Sequence, residues 1–145
     1  MDTHQNSLPF TVLPARVRVR ERLLLAIFCG GAAGGIARAA LEQAWPASGH
    51  GWPWVTFTVN IAGAALLAYF ITQLQERLPP STYPRPLLGA GLCGAFTTFS
   101  TLQLEALELV HRGHALLGTT YALTSIGAGL LTTHLVSALV RRVTA

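Results

Sequence analysis

Four stretches of this chain are so apolar that they belong in lipid. A helix needs about 20 mostly apolar residues to cross a hydrocarbon core about 30 Å thick. Residues 23–41 hold one charge, Arg38; residues 53–75 and 86–104 hold none; residues 115–140 hold none while His134 is neutral. The stretches between them, 42–52, 76–85 and 105–114, are too short to be domains. Open sheet edges cannot be satisfied in hydrocarbon, and the strict alternation of a membrane barrel is missing. The pattern predicts an all-α integral membrane protein with four transmembrane helices, at about 23–41, 53–75, 86–104 and 115–140, joined by tight connections in one domain, 23–145.

Composition excludes the main soluble classes. Only 11% of the 145 residues are charged, against roughly 25% in soluble domains. That is too few to coat a water-soluble enzyme, and the net charge of +4 is no basic coat for nucleic acid. Cys29 and Cys93 both sit in apolar runs and read as small packing residues, not as a disulfide or metal site. Residues 1–22 differ: they are polar, carry Pro9 and Pro14, and end in the alternating Arg16, Arg18, Arg20 and Arg22. They lack a convincing cleavage site followed by a polar mature domain. They are expected to form a flexible tail leading into a basic collar on the first helix.

Four spans put the tail, residues 76–85 and the C-terminus on one side. That side holds eight of the ten arginines, while the other holds only Arg112 and Arg38 lies within a span. The positive-inside rule then places both termini of this multi-pass membrane protein in the cytoplasm. No internal repeat is found. Transporters often build a midplane site from two inverted halves; if this chain needs a second half, another subunit must supply it.

Few residues inside the spans carry chemistry. Gly30 with Gly34, and Gly31 with Gly35, have the spacing that lets helix backbones touch. Arg38 either snorkels to the nearby interface, or anchors structure or attracts an anion to a vestibule. Asn60 is an amide among apolar neighbours; it bonds a neighbouring helix or holds a bare anion. In the third stretch, Gly91, Gly94 and the run Phe96-Thr97-Thr98-Phe99-Ser100-Thr101 weaken a helix near mid-membrane. Two outcomes stand level there: a break whose freed carbonyls line a cavity, or a continuous helix whose hydroxyls bond back to it. Tyr121, Ser125, Gly129 and Thr133 recur every four residues as one slowly winding stripe, which serves interhelical bonding or a polar track.

These residues resemble the Fluc (CrcB) fluoride channels. The likeness runs from about Leu23 to Val140 and rests on three motifs in order: Gly30-Gly31-x-x-Gly34-x-x-x-Arg38, Thr58-Val59-Asn60-x-x-Gly63, and Gly91-x-Cys93-Gly94-x-Phe96-Thr97-Thr98-Phe99-Ser100-Thr101 with Glu105 following. The resemblance implies an antiparallel dimer with a third helix broken near its middle. It implies a structural, untransported Na⁺ at the dimer centre, held by the backbone carbonyls of Gly94 and Thr97 from both subunits. It also implies two fluoride paths per dimer, each involving Asn60, Phe99, Ser100, Thr101, Tyr121, Ser125 and Thr133, with Gly129 interrupting the track. Arg38 and Glu105 take vestibule or structural places. The function implied is passive export of fluoride, which lowers its toxicity.

One departure stands out. The family usually has a second Phe three residues after the first; here that position is Leu102. A ring edge is positive and can meet an anion, whereas an isobutyl group cannot, so conduction is expected to persist at reduced throughput. The arginine bias is a second departure, since a chain inserting both ways needs little asymmetry. It leaves open a heterodimer with an oppositely inserted paralogue beside the homodimer. The physical case agrees with fluoride: a small, tightly hydrated anion needs donors in place of its water, and neutral donors let it leave again. The rivals are a small four-helix proton-coupled drug or cation exporter, which needs an embedded carboxylate; a structural subunit of a larger complex; and an intramembrane hydrolase using Ser100 and His134. No flanking motif supports the hydrolase, and the chain reads as a non-enzyme.

Overall fold

The computed structural model describes residues 15–45, 51–77 and 83–144, and all regular structure among them is helical. In chain order the elements are α1 (Ala15–Ala44), α2 (Trp54–Arg77), a π-helical segment (Pro86–Cys93), a single turn α3 (Gly94–Phe96), α4 (Phe99–His111) and α5 (Ala115–Thr144). Four helical runs among the described residues are long and apolar enough to cross a membrane: Val19–Ala44, Trp54–Leu74, Pro86–His111 and Ala115–Val143. The third comprises the π-helical segment, α3 and α4.

The helices overrun the apolar stretches furthest at two places. α1 starts at Ala15, inside the 1–22 stretch assigned above to the tail; Arg, Glu and Leu are good helix formers and carry the helix beyond the hydrocarbon. Its 30 residues make a rod about 45 Å long, longer than the core of a bilayer. Residues 1–14 lie outside the described residues. The third run continues past Leu104 to His111, so Glu105 lies within α4 and not beyond a segment end as its sequence position implied. What ends α4 is Gly113, whose φ of +87° suits glycine. Its N–H bonds the Val110 carbonyl at 3.0 Å, and the His114 N–H bonds that of Leu109 at 2.9 Å, closing the helix end.

α1 packs on the π-helical segment and α3, whereas α2 and α4 both pack on α5. Glycine makes the first of these contacts possible. A Cβ on Gly30 would lie 2.1 Å from the Leu87 carbonyl oxygen, and one on Gly34 would lie 2.2 Å from that of Leu92. Backbone thus meets backbone along that seam, as in close-packed membrane helices. Among the described residues the interior holds two apolar clusters. Val55, Val59 and Phe96 form one, and Leu102, Leu109 and Tyr121 form the other, ringed by Trp52, Phe57 and Ala106. Much apolar side-chain surface faces outward: Leu116 is 84% exposed and Phe28 73%. Lipid or a partner chain covers such surface; water does not.

Candidate functional site

The site is organised by two residues of extended backbone. Between α3 and α4, Thr97 has φ −79° and ψ 154°, and Thr98 has φ −143° and ψ 109°. A helix would send the Thr98 N–H to the Gly94 carbonyl, the Phe99 N–H to that of Ala95, and the Thr101 N–H to that of Thr97. Other partners intervene. The Thr98 N–H donates to Asn60 Oδ1 at 2.8 Å, and Asn60 Nδ2 donates back to the Thr98 carbonyl at 3.1 Å. One amide side chain thereby acts like the edge of a strand, supplying both a donor and an acceptor. The Thr101 N–H caps on Thr98 Oγ1 at 3.2 Å, and that hydroxyl donates to Thr101 Oγ1 at 2.8 Å. Arg38 Nε donates to the Ala95 carbonyl at 3.2 Å. The carbonyls of Gly94 and Thr97 are thus relieved of the N–H groups a helix would give them.

Beside this backbone runs a groove of about 320 Å³, lined by Asn60, Gly63, Ala64, Leu67, Thr97, Phe99, Leu102, Ser125, Ile126, Gly129, Leu130 and Thr133. It brings together Asn60, Phe99, Ser125 and Thr133 from three different elements. Ser125 is only 5% exposed, and its Oγ meets no protein partner. Thr133 donates its proton to the Gly129 carbonyl at 2.9 Å, so it must rotate before it can donate elsewhere. Phe99 is 62% exposed, the opposite of the buried Phe96 nearby. Leu102 forms part of the groove wall and packs with Leu109 and Tyr121. Asn60 keeps one amide hydrogen beyond the one given to Thr98.

Tyr121, Ser100, Thr101 and Gly94 are not among the residues lining this groove. Ser100 and Thr101 group instead around the Thr98 hydroxyl, Ser100 Oγ lying 3.4 Å from it. Tyr121 is fully buried, one helical turn before Ser125. Its hydroxyl donates to Glu105 Oε2 at 2.7 Å, while Thr56 Oγ1 donates to Glu105 Oε1 at 2.7 Å. The Trp52 ring meets Tyr121 edge-on, with centroids 5.3 Å apart. Sequence reasoning missed Thr56 and Trp52. The signal for Thr56 was its place four residues before Asn60, on the same face of α2; for Trp52 there was none. Arg38, besides reaching Ala95, pairs with Glu42 at 3.3 Å, so its guanidinium anchors α1 to α3.

What the arrangement can do is hold a small anion in a neutral setting. The groove offers an amide hydrogen, a partnerless hydroxyl and an aromatic ring, with Leu67, Leu102 and Ile126 among its walls. Among the described residues that line it there is no Lys, Arg, Asp or Glu.

Comparison with known proteins agrees with this architecture. The family described as CrcB-like protein, Camphor Resistance (CrcB), matches residues 25–136. A protein of Mycolicibacterium paratuberculosis named "Fluoride-specific ion channel FluC 1" is 57% identical over 122 residues, covering 84% of this chain and 92% of its own. A Mycobacterium bovis protein of the same name is 54% identical over the same shares. A more distant relative from Chlorobaculum tepidum, "Fluoride-specific ion channel FluC", is 38% identical over 107 residues, 74% of this chain and 85% of its own. The matched region holds Arg38, Asn60, the extended Thr97 and Thr98, and the groove; this chain, a multi-pass protein of a bacterial membrane, belongs to the CrcB-like family.

Proposed function

We propose that this chain is one subunit of a passive, fluoride-selective ion channel that lets fluoride leave the cytoplasm. The observation that carries the reading is Ser125: a nearly buried hydroxyl with no protein partner, facing a groove that Asn60 and Phe99 also line. Buried polar groups are almost always paired, so a donor kept without a partner beside a groove calls for a ligand that accepts. The relatives' names supply the ion. Fluoride is the halide that loses most on dehydration, and donors with a positive ring edge can replace its water. The lack of fixed charge in the groove wall keeps the ion from binding too tightly to leave.

The path is completed by a second copy. The 62% exposure of Phe99 supports a ring that awaits a facing subunit, and an antiparallel dimer supplies the inverted half that one short chain lacks. The Gly94 and Thr97 carbonyls, diverted from helical bonding by Asn60 and by the Thr98 hydroxyl, fit a hard cation, for which neutral oxygens are suitable ligands. With the same carbonyls of the partner they would hold one structural Na⁺, whose charge adds positive potential to the centre. Asn60 then has two tasks: its bonds to Thr98 hold the broken segment open, and its remaining hydrogen serves the anion. Hydrogen fluoride enters uncharged from acidic surroundings and dissociates inside. The membrane potential drives the anion out at about 2.3 kcal/mol per 100 mV, so no coupled energy source is required. The arginine bias favours a fixed orientation, and cysteine tags on each terminus distinguish a homodimer, labelled equally from both sides, from a pair of oppositely inserted paralogues.

One observation favours the exporter rival: Glu105 is a carboxylate inside α4, contrary to its place in the sequence analysis. Both of its oxygens, however, already accept hydroxyl hydrogens from Thr56 and Tyr121. Fluoride flux independent of a proton gradient supports the channel, and dye efflux that depends on one supports the exporter. The test of the channel itself is Ser125→Ala in vesicles read with a fluoride electrode. Loss of one hydrogen bond to a charged partner is worth about 1.5–3 kcal/mol, so flux is expected to fall about tenfold or more. Unchanged flux removes Ser125 from the path.

A further inference from the structure

Glycine is the poorest helix former after proline, so a glycine inside a long helix calls for a reason. For several in the spans the reason is contact. A Cβ on Gly118, near the start of α5, would lie 2.6 Å from the Ala106 carbonyl oxygen, and one on Gly63 would lie 2.2 Å from Thr97 Cγ2. Gly129 has no such contact. It sits in the middle of α5 without a positive φ, and a Cβ there would meet nothing within 4 Å. What it does meet is the groove beside Asn60, which it lines between Ser125 and Thr133. Its bare Cα leaves room there that no packing within the subunit demands.

That room falls where α5 has no donor of its own. Ser125 and Thr133 lie about 12 Å apart along the helix axis, with Gly129 midway. A hydroxyl holds an oxygen acceptor at about 2.7 Å, so an ion bonded to one of the two is far out of reach of the other. Ile126 and Leu130, which line the groove on this stretch, offer hydrocarbon only. Thr133 gives its proton to the Gly129 carbonyl. A small anion crossing the interval needs other donors. A groove of about 320 Å³ has space for several waters, each of which takes about 30 Å³ in the liquid.

We propose that Gly129 sets the throughput of the fluoride path by leaving room for water that bridges the ion between the Ser125 and Thr133 hydroxyls. This role rests on the fluoride reading above and gives a task to a residue that otherwise only interrupts the polar stripe. A methyl group at this position displaces water and returns no hydrogen bond. The hydroxymethyl group of serine displaces it and donates in its place. Size alone treats alanine and serine nearly alike; replacement of water separates them.

Wild type, Gly129→Ala, Gly129→Ser, Gly129→Val and Gly127→Ala are reconstituted in vesicles made permeable to potassium, and initial fluoride efflux is read by electrode. Gly127 is the control: a Cβ on it also meets nothing within 4 Å, and it is not among the residues lining the groove. Gly129→Ala is expected to lose about tenfold in flux, the worth of one hydrogen bond to a charged partner. Gly129→Val loses more, whereas Gly129→Ser and Gly127→Ala stay close to wild type. Both alanine variants melt in detergent at or above the wild-type Tm, because alanine favours the helix; a slower protein that is no less stable is a result that damaged folding does not produce. Wild-type flux from Gly129→Ala overturns the proposal, as does an equal loss in Gly129→Ala and Gly129→Ser, or a comparable loss in Gly127→Ala. A Gly129→Ala loss that comes with a lower Tm, or with fewer subunits cross-linked as dimers in the vesicles, also overturns it and assigns Gly129 to a helix contact with the second copy. If the wild type carries no fluoride, the fluoride reading fails; if it does and Gly129→Ala matches it, only the role of Gly129 fails.

Discussion

Asn60→Ala removes the amide that fastens the third span where its backbone is extended. Two hydrogen bonds disappear, at 2.8 Å and 3.1 Å, and both leave Thr98 backbone groups without partners. Thr98 is only 7% exposed. A buried polar group without a partner costs about 1–3 kcal/mol, which puts the pair at about 2–6 kcal/mol. Interhelical bonds measured in a membrane protein average about 0.6 kcal/mol each, which sets a floor near 1.2 kcal/mol. Water entering the adjoining groove moves the answer toward the low end, so a loss of about 2 kcal/mol is expected. For a chain of this length that corresponds to a fall in Tm of about 4–8 °C. Thermal unfolding in detergent measures the fall, and hydrogen exchange at the Thr98 amide, protected in wild type and fast in the variant, locates it. Ser125→Ala is the contrast: its hydroxyl has no protein partner, so no protein hydrogen bond is lost and its Tm is expected to stay close to that of wild type while fluoride flux falls. An Asn60→Ala protein with the wild-type Tm and a protected Thr98 amide would refute the fastening role.

Four other substitutions probe separate parts of the molecule. Gly34→Ala drives a methyl group to within 2.2 Å of the Leu92 carbonyl oxygen, whereas Gly35→Ala meets nothing within 4 Å. The first is expected to cost about 1–3 kcal/mol through overpacking and the second to be neutral or to gain up to about 1 kcal/mol in helix propensity, both read by Tm in detergent. Tyr121→Phe leaves Glu105 Oε2 without its hydroxyl donor, and a loss of about 1–3 kcal/mol by the same measurement is expected. Leu102→Phe places a ring edge on the groove wall; fluoride flux above that of wild type is expected, and flux that is unchanged or lower counts against the importance of the missing ring.

The spans were legible because hydrocarbon demands long charge-free runs, and such runs stand out in a chain with so few charges. Their ends were less legible. Arg16 to Arg22 and Glu105 to His111 are polar enough to leave lipid yet carry no glycine or proline to stop a helix. A hydropathy boundary is therefore not a helix boundary, and Glu105 lies within α4 although it follows the apolar stretch. Within the site, residue type marked Asn60, Phe99, Ser125 and Thr133, which share one groove. It could not say how Asn60 divides its amide, because that depends on the backbone of Thr98, 38 residues away. Nor could spacing separate Tyr121 from Ser125. Both lie on one stripe, but a 40° turn per step sends the first to Glu105 and the second to the groove. Thr56 was visible only as a neighbour of Asn60 on its helix face, and Trp52, in the connection before α2, carried no periodic signal at all.

The central claim is that a neutral lining of donors and ring edges carries the smallest halide across the membrane and refuses larger ones. Its most direct test is efflux from vesicles loaded with fluoride or chloride and made permeable to potassium, each ion followed with its own electrode. Rapid, complete fluoride release with chloride retained, and fluoride release abolished in Asn60→Ala/Phe99→Ala vesicles, is the result the account predicts. Comparable release of chloride, or fluoride release that survives the double substitution, would contradict it.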